Sequence, residues 1–371
     1  MASSKPIASI GRCLSNRLDA ALMEDQSIAG VIGDAPSHYS KSPRLWNAAF
    51  RHLRLDAVYF PFDVAAAKVG DLLAALKDSD SFLGANVTVP HKVRVMDFLD
   101  EIGSAAARIQ AVNTIVRTSD GRLVGHNTDG EGFVQSVLRR QPDRAESFLS
   151  SLNGMTVLLL GAGGSARAVA FHVADLIAGG KLLICNRSAE LAQSLAKEIQ
   201  KSGCDTTAFG EEDLRTWALK AGLIINSTTK GQGGIRRLSN GMATFMEPYS
   251  ALAAANPPAW AEAGAGKAEF DRQWADAAAV DIEANNRASL KLAQSIPPHV
   301  RFYDLIYHPE ETLFLRHGRS TGHPTMNGKS MIINQAVIAF CKRICNAELQ
   351  ARGIDTPQTY NDVLEVMYRA W

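Results

Sequence analysis

Apolar residues along the chain gather into short runs of strand length, separated by stretches in which they recur every three or four positions. Residues 28–32, 57–62, 81–85 and 111–116 are such runs in the leading third, and 155–160 and 181–185 follow further on. Residues 44–53 and 65–77 have the second pattern, which predicts amphipathic helices. Strands alternating with helices predict an α/β fold on open sheets. The 44–53 helix carries a start signal, with Ser42 placed as its cap and Pro43 at its first position, where a missing N–H is no loss. Capping leaves Ser40 without a role, and two hydroxyls beside the free N–H groups of a helix start suit a small carboxylate.

The run 155–160 leads into Gly161-Ala162-Gly163-Gly164-Ser165-Ala166, which opens an alanine-rich helical stretch. Strand, glycine turn and helix in that order make a nucleotide site. The glycines admit a pyrophosphate close to the backbone, and the free N–H groups at the helix start stabilise its charge. The next strand, 181–185, ends in Asn186-Arg187-Ser188, where a site for NAD would place an acid against the ribose diol. A cation in that slot pairs with a 2′-phosphate, so the pattern favours NADP, with NAD as the other possibility. Residues ahead of the turn form a domain of their own.

Length and composition agree: 371 residues suffice for two domains, and 46% hydrophobic with 21% charged residues is ordinary globular composition. A net charge of +1 without a long basic run argues against nucleic acid or an anionic membrane as a partner. No apolar stretch approaches the ~20 residues of a membrane helix. Cysteines 13, 185, 204, 341 and 345 form no CxxC pair and no metal spacing, which points to no metal and to a reduced, cytoplasmic setting. Cys341 and Cys345 are expected on one helix face. The first 18 residues lack acids and carry Lys5, Arg12 and Arg17, faintly like a transit peptide, but are read as a ragged terminus.

The turns of the leading domain carry polar clusters that would pass for turn chemistry if taken singly. In order they are Ser40-Lys41-Ser42-Pro43, Asn86-Val87-Thr88-Val89-Pro90-His91-Lys92, Ala111-Val112-Asn113-Thr114 and Asn127-Thr128-Asp129-Gly130-Glu131-Gly132. With Gly161 to Gly164, Asn186-Arg187-Ser188, Asn226-Ser227-Thr228, the run from Asp304 to Pro309, Asn327-Gly328 and Met331 to Gln335, the chain resembles the shikimate dehydrogenase family, quinate/shikimate members included. The resemblance spans about 28–343.

It implies a substrate-binding and catalytic α/β domain over 26–133, a Rossmann NADP-binding domain over 134–325 and a C-terminal helical segment, 326–371, returning to the first domain. The implied activity is reversible, NADP-dependent reduction of 3-dehydroshikimate to shikimate by hydride transfer, in the biosynthesis of chorismate and aromatic amino acids. Lys92 and Asp129 would be the catalytic pair, since oxidation of a ring alcohol needs a base for its proton and reduction needs the conjugate acid. A neighbouring carboxylate favours the ammonium form of Lys92. By resemblance Ser40, Ser42 and Tyr307 hold the substrate carboxylate, while Asn86, Thr88, Asn113 and Gln335, with Asp129, contact ring hydroxyls. Gly161, Ala162, Gly163, Gly164, Ser165, Ala166, Asn186, Arg187, Ser188, Ser227, Thr228, Gly328 and Met331 would bind the cofactor. The assembly is expected to be a monomer or homodimer.

The chain departs from the family pattern in places. Tyr39 and Trp46 stand where the family has histidines, which would reshape the pocket edge, and Gln110 replaces a small residue as a structural substitution. Glu190 and Leu191 occupy the place of the family's second base, weakening NADP preference. Between Asn226-Ser227-Thr228 and Asp304 the chain is roughly 45 residues longer than the resemblance leads one to expect, a length that a loop tolerates. This insertion, about 235–300, starts after Lys230-Gly231-Gln232-Gly233-Gly234, with Arg236 and Arg237 within reach of an anion, and includes a helix after Asn256-Pro257-Pro258. It is expected to pack on the Rossmann domain through Phe270 and Trp274, four apart on one face, and to be dispensable for turnover. Three alternatives stay open: a quinate/shikimate or aminoshikimate dehydrogenase, a non-catalytic regulatory protein of the same fold, and a methylenetetrahydrofolate dehydrogenase-like enzyme.

Overall fold

A computed structural model describes residues 4–18, 26–238, 240–261 and 267–371. The strands are β1 (Ser27–Gly33), β2 (Ala57–Asp63), β3 (Phe82–Val87), β4 (Glu101–Ile102), β5 (Thr114–Arg117), β6 (Leu123–His126), β7 (Thr156–Leu160), β8 (Lys181–Cys185), β9 (Thr206–Phe209), β10 (Leu223–Asn226), β11 (Ile235–Arg237), β12 (Met242–Phe245), β13 (Trp260–Ala261), β14 (Arg301–Asp304) and β15 (Thr325–Met326). The chain forms two compact units, one of residues Met1–Ser147 with Met331–Trp371 and one of Phe148–Ser330. The sequence reading divided the chain at 133/134 and 325/326. The first of those points falls inside one continuous helix, Asp129–Leu138, whose Phe133 and Val137 are fully buried.

In the first unit the sheet order is β2-β1-β3-β5-β6-β4. Strands β2, β1 and β3 are parallel, while β5 runs antiparallel to both β3 and β6. Both faces are covered. Trp46 and Phe50 of the helix Ser42–Leu53 pack on one with Val337, Phe340 and Met367 from the C-terminal segment. Val69, Leu72 and Leu76 pack on the other together with Ile10. The stretch 10–16 is therefore anchored rather than ragged. Ile10 is fully buried, and the Asn16 side chain pairs with the β2 backbone, donating to Pro61 O and accepting from Asp63 N–H. Cys341 and Cys345 are both buried in the C-terminal segment, and all five cysteines are unpaired.

The second unit is a parallel sheet in the order β15-β14-β10-β7-β8-β9. The order reverses between β7 and β10, and in open α/β sheets ligands bind beyond the carboxyl ends of the strands at such a point. The additional residues are not an appendage. They form a small antiparallel sheet, β11-β12-β13, and a helix, Lys267–Ser295, that carries the chain across to β14. Phe270 and Trp274 pack on Phe245, Trp260 and Tyr249 of the additional segment itself rather than on the Rossmann sheet. That task falls to Leu292, Ala293 and Ile296, which join Leu158, Ile224 and Phe302 in the core.

Candidate active site

In the first unit the clusters at 86–92 and 127–132 follow β3 and β6, the one at 111–114 leads into β5, and the one at 40–43 joins two helices, Pro36–Tyr39 and Ser42–Leu53. Pairing of Asn86 with Thr114 and of Thr114 with His126 brings the ends of β3, β5 and β6 side by side. Lys92 Nζ then stands 2.6 Å from Asp129 Oδ2, with the lysine side chain 25% exposed and the aspartate 8%. The carboxylate is fixed from several sides. Asn113 Nδ2 donates to Asp129 Oδ1 at 2.8 Å, and Asn127 Oδ1 accepts the Asp129 backbone N–H at 3.0 Å. Asp129 also begins the helix Asp129–Leu138, whose N-terminal dipole favours a negative charge there. The lysine, by contrast, is held at one end only and partly open to solvent.

Thr128, fully buried, joins this network although nothing in its motif sets it apart from its neighbours. Its hydroxyl accepts from Asn113 Nδ2 at 3.1 Å and donates toward Gln335 Oε1 at 3.3 Å. Gln335 reaches the site because Gly132 lets two helices touch: a Cβ there would lie 2.7 Å from that of Gln335. Asn86 is engaged within the protein, its Oδ1 accepting from Tyr59 Oη at 2.7 Å and its Nδ2 donating to Thr114 Oγ1 at 3.2 Å. Tyr59 was missed because its place in β2 looks like that of any apolar strand residue; burial pushes its phenol well above the ordinary value. Thr88 lies at the half-buried end of the same segment.

Ser42 is not the cap of its helix but its first residue, and the hydroxyl of Ser40 accepts the Ser42 N–H at 3.2 Å, so Ser40 does the local work assigned to its neighbour. Trp46 does not edge a pocket; it is fully buried and stacks on Tyr59 with ring centroids 4.7 Å apart. Tyr39 is exposed and donates to Asp34 Oδ1 at 2.8 Å. Gln110 ends a helix in the left-handed region, φ 62°, which accounts for the small residue expected there.

In the second unit β7 delivers the chain to Gly161, whose φ of +110° and contact with Ser227 both exclude a side chain: a Cβ would meet Ser227 Oγ at 2.7 Å. Ser227 Oγ donates to Leu160 O at 2.6 Å, and Thr228 Oγ1 donates to Asn226 Oδ1, so both hydroxyls shape the turn. Gly163 and Gly164 face open space, and the helix Gly164–Ala174 has no side-chain cap on its first N–H groups. Ala162 is half-buried, Ser165 is exposed beside these glycines, and the Ala166 methyl packs into the core. Ser188 caps the helix Ala189–Gln200 and bonds Glu190, Asn186 Nδ2 donates to Ser188 O, and Arg187 is exposed. This arrangement fits a dinucleotide with an anion beyond its ribose: bare N–H groups for the pyrophosphate and a guanidinium beyond the next strand.

Asp304 anchors the loop that carries Tyr307, and no role had been read for it. Fully buried, it accepts from Asn226 Nδ2 at 3.0 Å, Thr312 Oγ1 at 2.6 Å and the Ile306 N–H at 2.9 Å. Burial pushes its carboxyl up to about 7 despite these donors, and burial likewise raises the Tyr307 phenol, which stays protonated at neutral pH. Gly328 is required where the chain passes Leu305, since a Cβ would meet its carbonyl oxygen at 2.0 Å, and Met331 is buried. The Asp304 shift has a consequence for stability. Between the ordinary carboxyl value near ~4 and about 7 the folded protein holds a proton that the unfolded chain has released, so stability falls as pH rises across that window. Asp304→Asn is expected to remove this component, which paired unfolding curves at pH 5 and pH 8 would show. An unchanged difference between the two pH values in the variant would contradict the assignment.

Comparison with known proteins gives the family. Residues 31–115 match the family model described as shikimate dehydrogenase substrate binding domain, and residues 143–244 match that of shikimate/quinate 5-dehydrogenase. A shikimate dehydrogenase (NADP(+)) of Symbiobacterium thermophilum is 33% identical over 84% of this chain and 87% of its own length. The chain belongs to the shikimate dehydrogenase family. A second relative of the same description, from Desulforamulus reducens, is 35% identical over 84% of this chain and 88% of its own. Among solved structures, the shikimate 5-dehydrogenase of Thermus thermophilus in complex with NADP(H) and shikimate superposes with a TM-score of 0.61 at 26% identity, covering 93% of this chain and 99% of that one. The fold class expected from the sequence, a substrate-binding α/β domain with a Rossmann-type domain, is the observed one.

Proposed function

We propose that the protein reduces 3-dehydroshikimate to shikimate with NADPH and runs the reverse oxidation with NADP. The observation that carries this reading is the Lys92 ammonium placed 2.6 Å from an Asp129 carboxylate that Asn113 and the helix start hold in place. In reduction Lys92 gives its proton to the oxygen of the reacting carbonyl; in oxidation it takes that proton back, and Asp129 steadies the charge throughout. Asp129 is too well tied to move, so the proton travels on the partly exposed lysine. Asn113, Asn86, Thr88 and Gln335 supply donors and acceptors for ring hydroxyls, and Ser40, Ser42 and Tyr307 for the carboxylate. NADPH, when bound at the glycine turn, supplies the hydride. Holding the cofactor are the free N–H groups at Gly164 to Ala166 and the Arg187 guanidinium, with Asn186, Ser188, Ser227, Thr228, Gly328 and Met331 shaping the surroundings.

A reduced cytoplasmic setting is in keeping with five unpaired cysteines, and no helix among the described residues is long and apolar enough to cross a membrane. A monomer or homodimer remains our expectation for the assembly. Steady-state assays with NADPH and NADH against 3-dehydroshikimate, and with NADP and NAD against shikimate and quinate, test the function. The highest kcat/KM is expected for the shikimate pair with the phosphorylated cofactor; a preference for quinate would move the protein to the neighbouring activity.

A further inference from the structure

The base that the family places shortly after Asn186-Arg187-Ser188 is missing, and Glu190 there is turned to Ser188, donated to at 2.7 Å by its hydroxyl. Arg187 has no carboxylate partner among the described residues. A second guanidinium comes from elsewhere in the same unit. Arg236, on β11 of the additional segment, donates to Thr229 Oγ1, just beyond the Asn226-Ser227-Thr228 end of β10. In the sheet β10 and β8 flank β7, so the segments that carry Arg236 and Arg187 leave the sheet on the two sides of the strand that ends at the glycine turn. Desolvation, and after it the charge of Arg187, hold Arg236 below its ordinary value. Arg236 has no carboxylate partner among the described residues either. Two like charges brought together without a counter-ion are unfavourable, and a dianion between them would reverse the sign of that interaction.

The base of this hairpin is pinned in place. Lys230 pairs with Glu211 at 2.5 Å and donates to Ala253 O at 2.6 Å. A Cβ at Gly231 would meet Thr312 at 2.9 Å, and the Gly233 N–H donates to His308 O at 3.1 Å. The glycines at 231 and 233 therefore serve close packing, and Arg236 is presented from a braced strand.

We propose that Arg236 is the second cation for the 2′-phosphate of NADP, replacing from the hairpin the base that the Glu190-Leu191 position lacks. This rests on the NADP reading above and adds a specificity-determining residue to it. The 2′-phosphate would be gripped from both sides by Arg187 and Arg236, while the diol of NAD would meet neither charge usefully.

The test is equilibrium binding of NADPH, NADH and 2′,5′-ADP to the full chain and to Arg187→Ala, Arg236→Ala, Arg236→Gln and Arg236→Glu, each checked for an unchanged melting curve. Arg236→Ala is expected to weaken NADPH and 2′,5′-ADP by about 10- to 100-fold, the range for one charge-assisted contact, with NADH altered by less than about threefold. Arg236→Glu should weaken the phosphorylated ligands further. Arg236→Gln, which can still bond Thr229, should behave like Ala if charge is what matters. An unmodified protein that binds NADH as tightly as NADPH would overturn the NADP reading and this proposal together. Retained NADPH preference in Arg236→Ala, or equal loss of NADPH and NADH, would overturn the role of Arg236 and leave the reading intact.

Discussion

Lys92→Ala is expected to lower kcat by roughly 10²- to 10⁴-fold in both directions, with KM for shikimate changed far less. The variant keeps Asp129, Asn113 and Thr128 in their buried network, because Lys92 contributes only the outermost contact, Nζ to Asp129 Oδ2. On the mechanism proposed above, what is lost is the proton carrier. Asp129 cannot substitute, since its Oδ1 is bonded to Asn113 Nδ2 and its backbone is fixed at the helix start. A residual rate should therefore rise with pH in the oxidation direction, as solvent hydroxide takes over the proton. Initial-rate kinetics with saturating NADP and NADPH, alongside a melting curve, decide the matter. A folded variant with near-normal kcat would remove Lys92 from the chemistry.

Replacing residues 240–296 by a short Gly/Ser linker is expected to destroy the cooperative folding of the second unit and with it all NADPH binding. Read as an inserted loop, the stretch looked removable without loss of turnover. The structure reverses that expectation, because the segment supplies Tyr249, Leu252, Trp274, Leu292 and Ile296, all nearly or fully buried. Burial of side chains of this size stabilises by about 1.5–3 kcal/mol each, together on the order of the ~5–15 kcal/mol that a domain has in total. The deletion also removes the crossover by which β14 comes to lie parallel to β10. A milder change, Leu292→Ala, should cost about 2–5 kcal/mol in urea unfolding. A deletion variant that melts cooperatively and binds NADPH would show the helix Lys267–Ser295 to be dispensable after all.

Local chemistry was legible in the sequence wherever it depends on neighbours along the chain. The glycine turn after β7 is one case, since φ and close approach at Gly161 restrict that position to one residue type. Strand ends carrying Asn113, Lys92 and Asp129 are another, because motifs in a fixed order mark the ends of strands that must assemble into one sheet. Fold class and family were therefore readable from the residues in order, as were the positions proposed here for catalysis and for the pyrophosphate. Tertiary structure decided the rest. Tyr59 positions Asn86 from another strand, Thr128 links Asn113 to Gln335 from the far end of the chain, and Asp304 is buried by the packing of a unit whose polar donors come from Asn226 and Thr312. The helix that looked like an insertion became core for the same reason. Its Trp274 answers to the local hairpin and its Ile296 to the sheet, and no periodicity in the sequence distinguishes an apolar face that meets a neighbour of its own making from one that meets the rest of the domain.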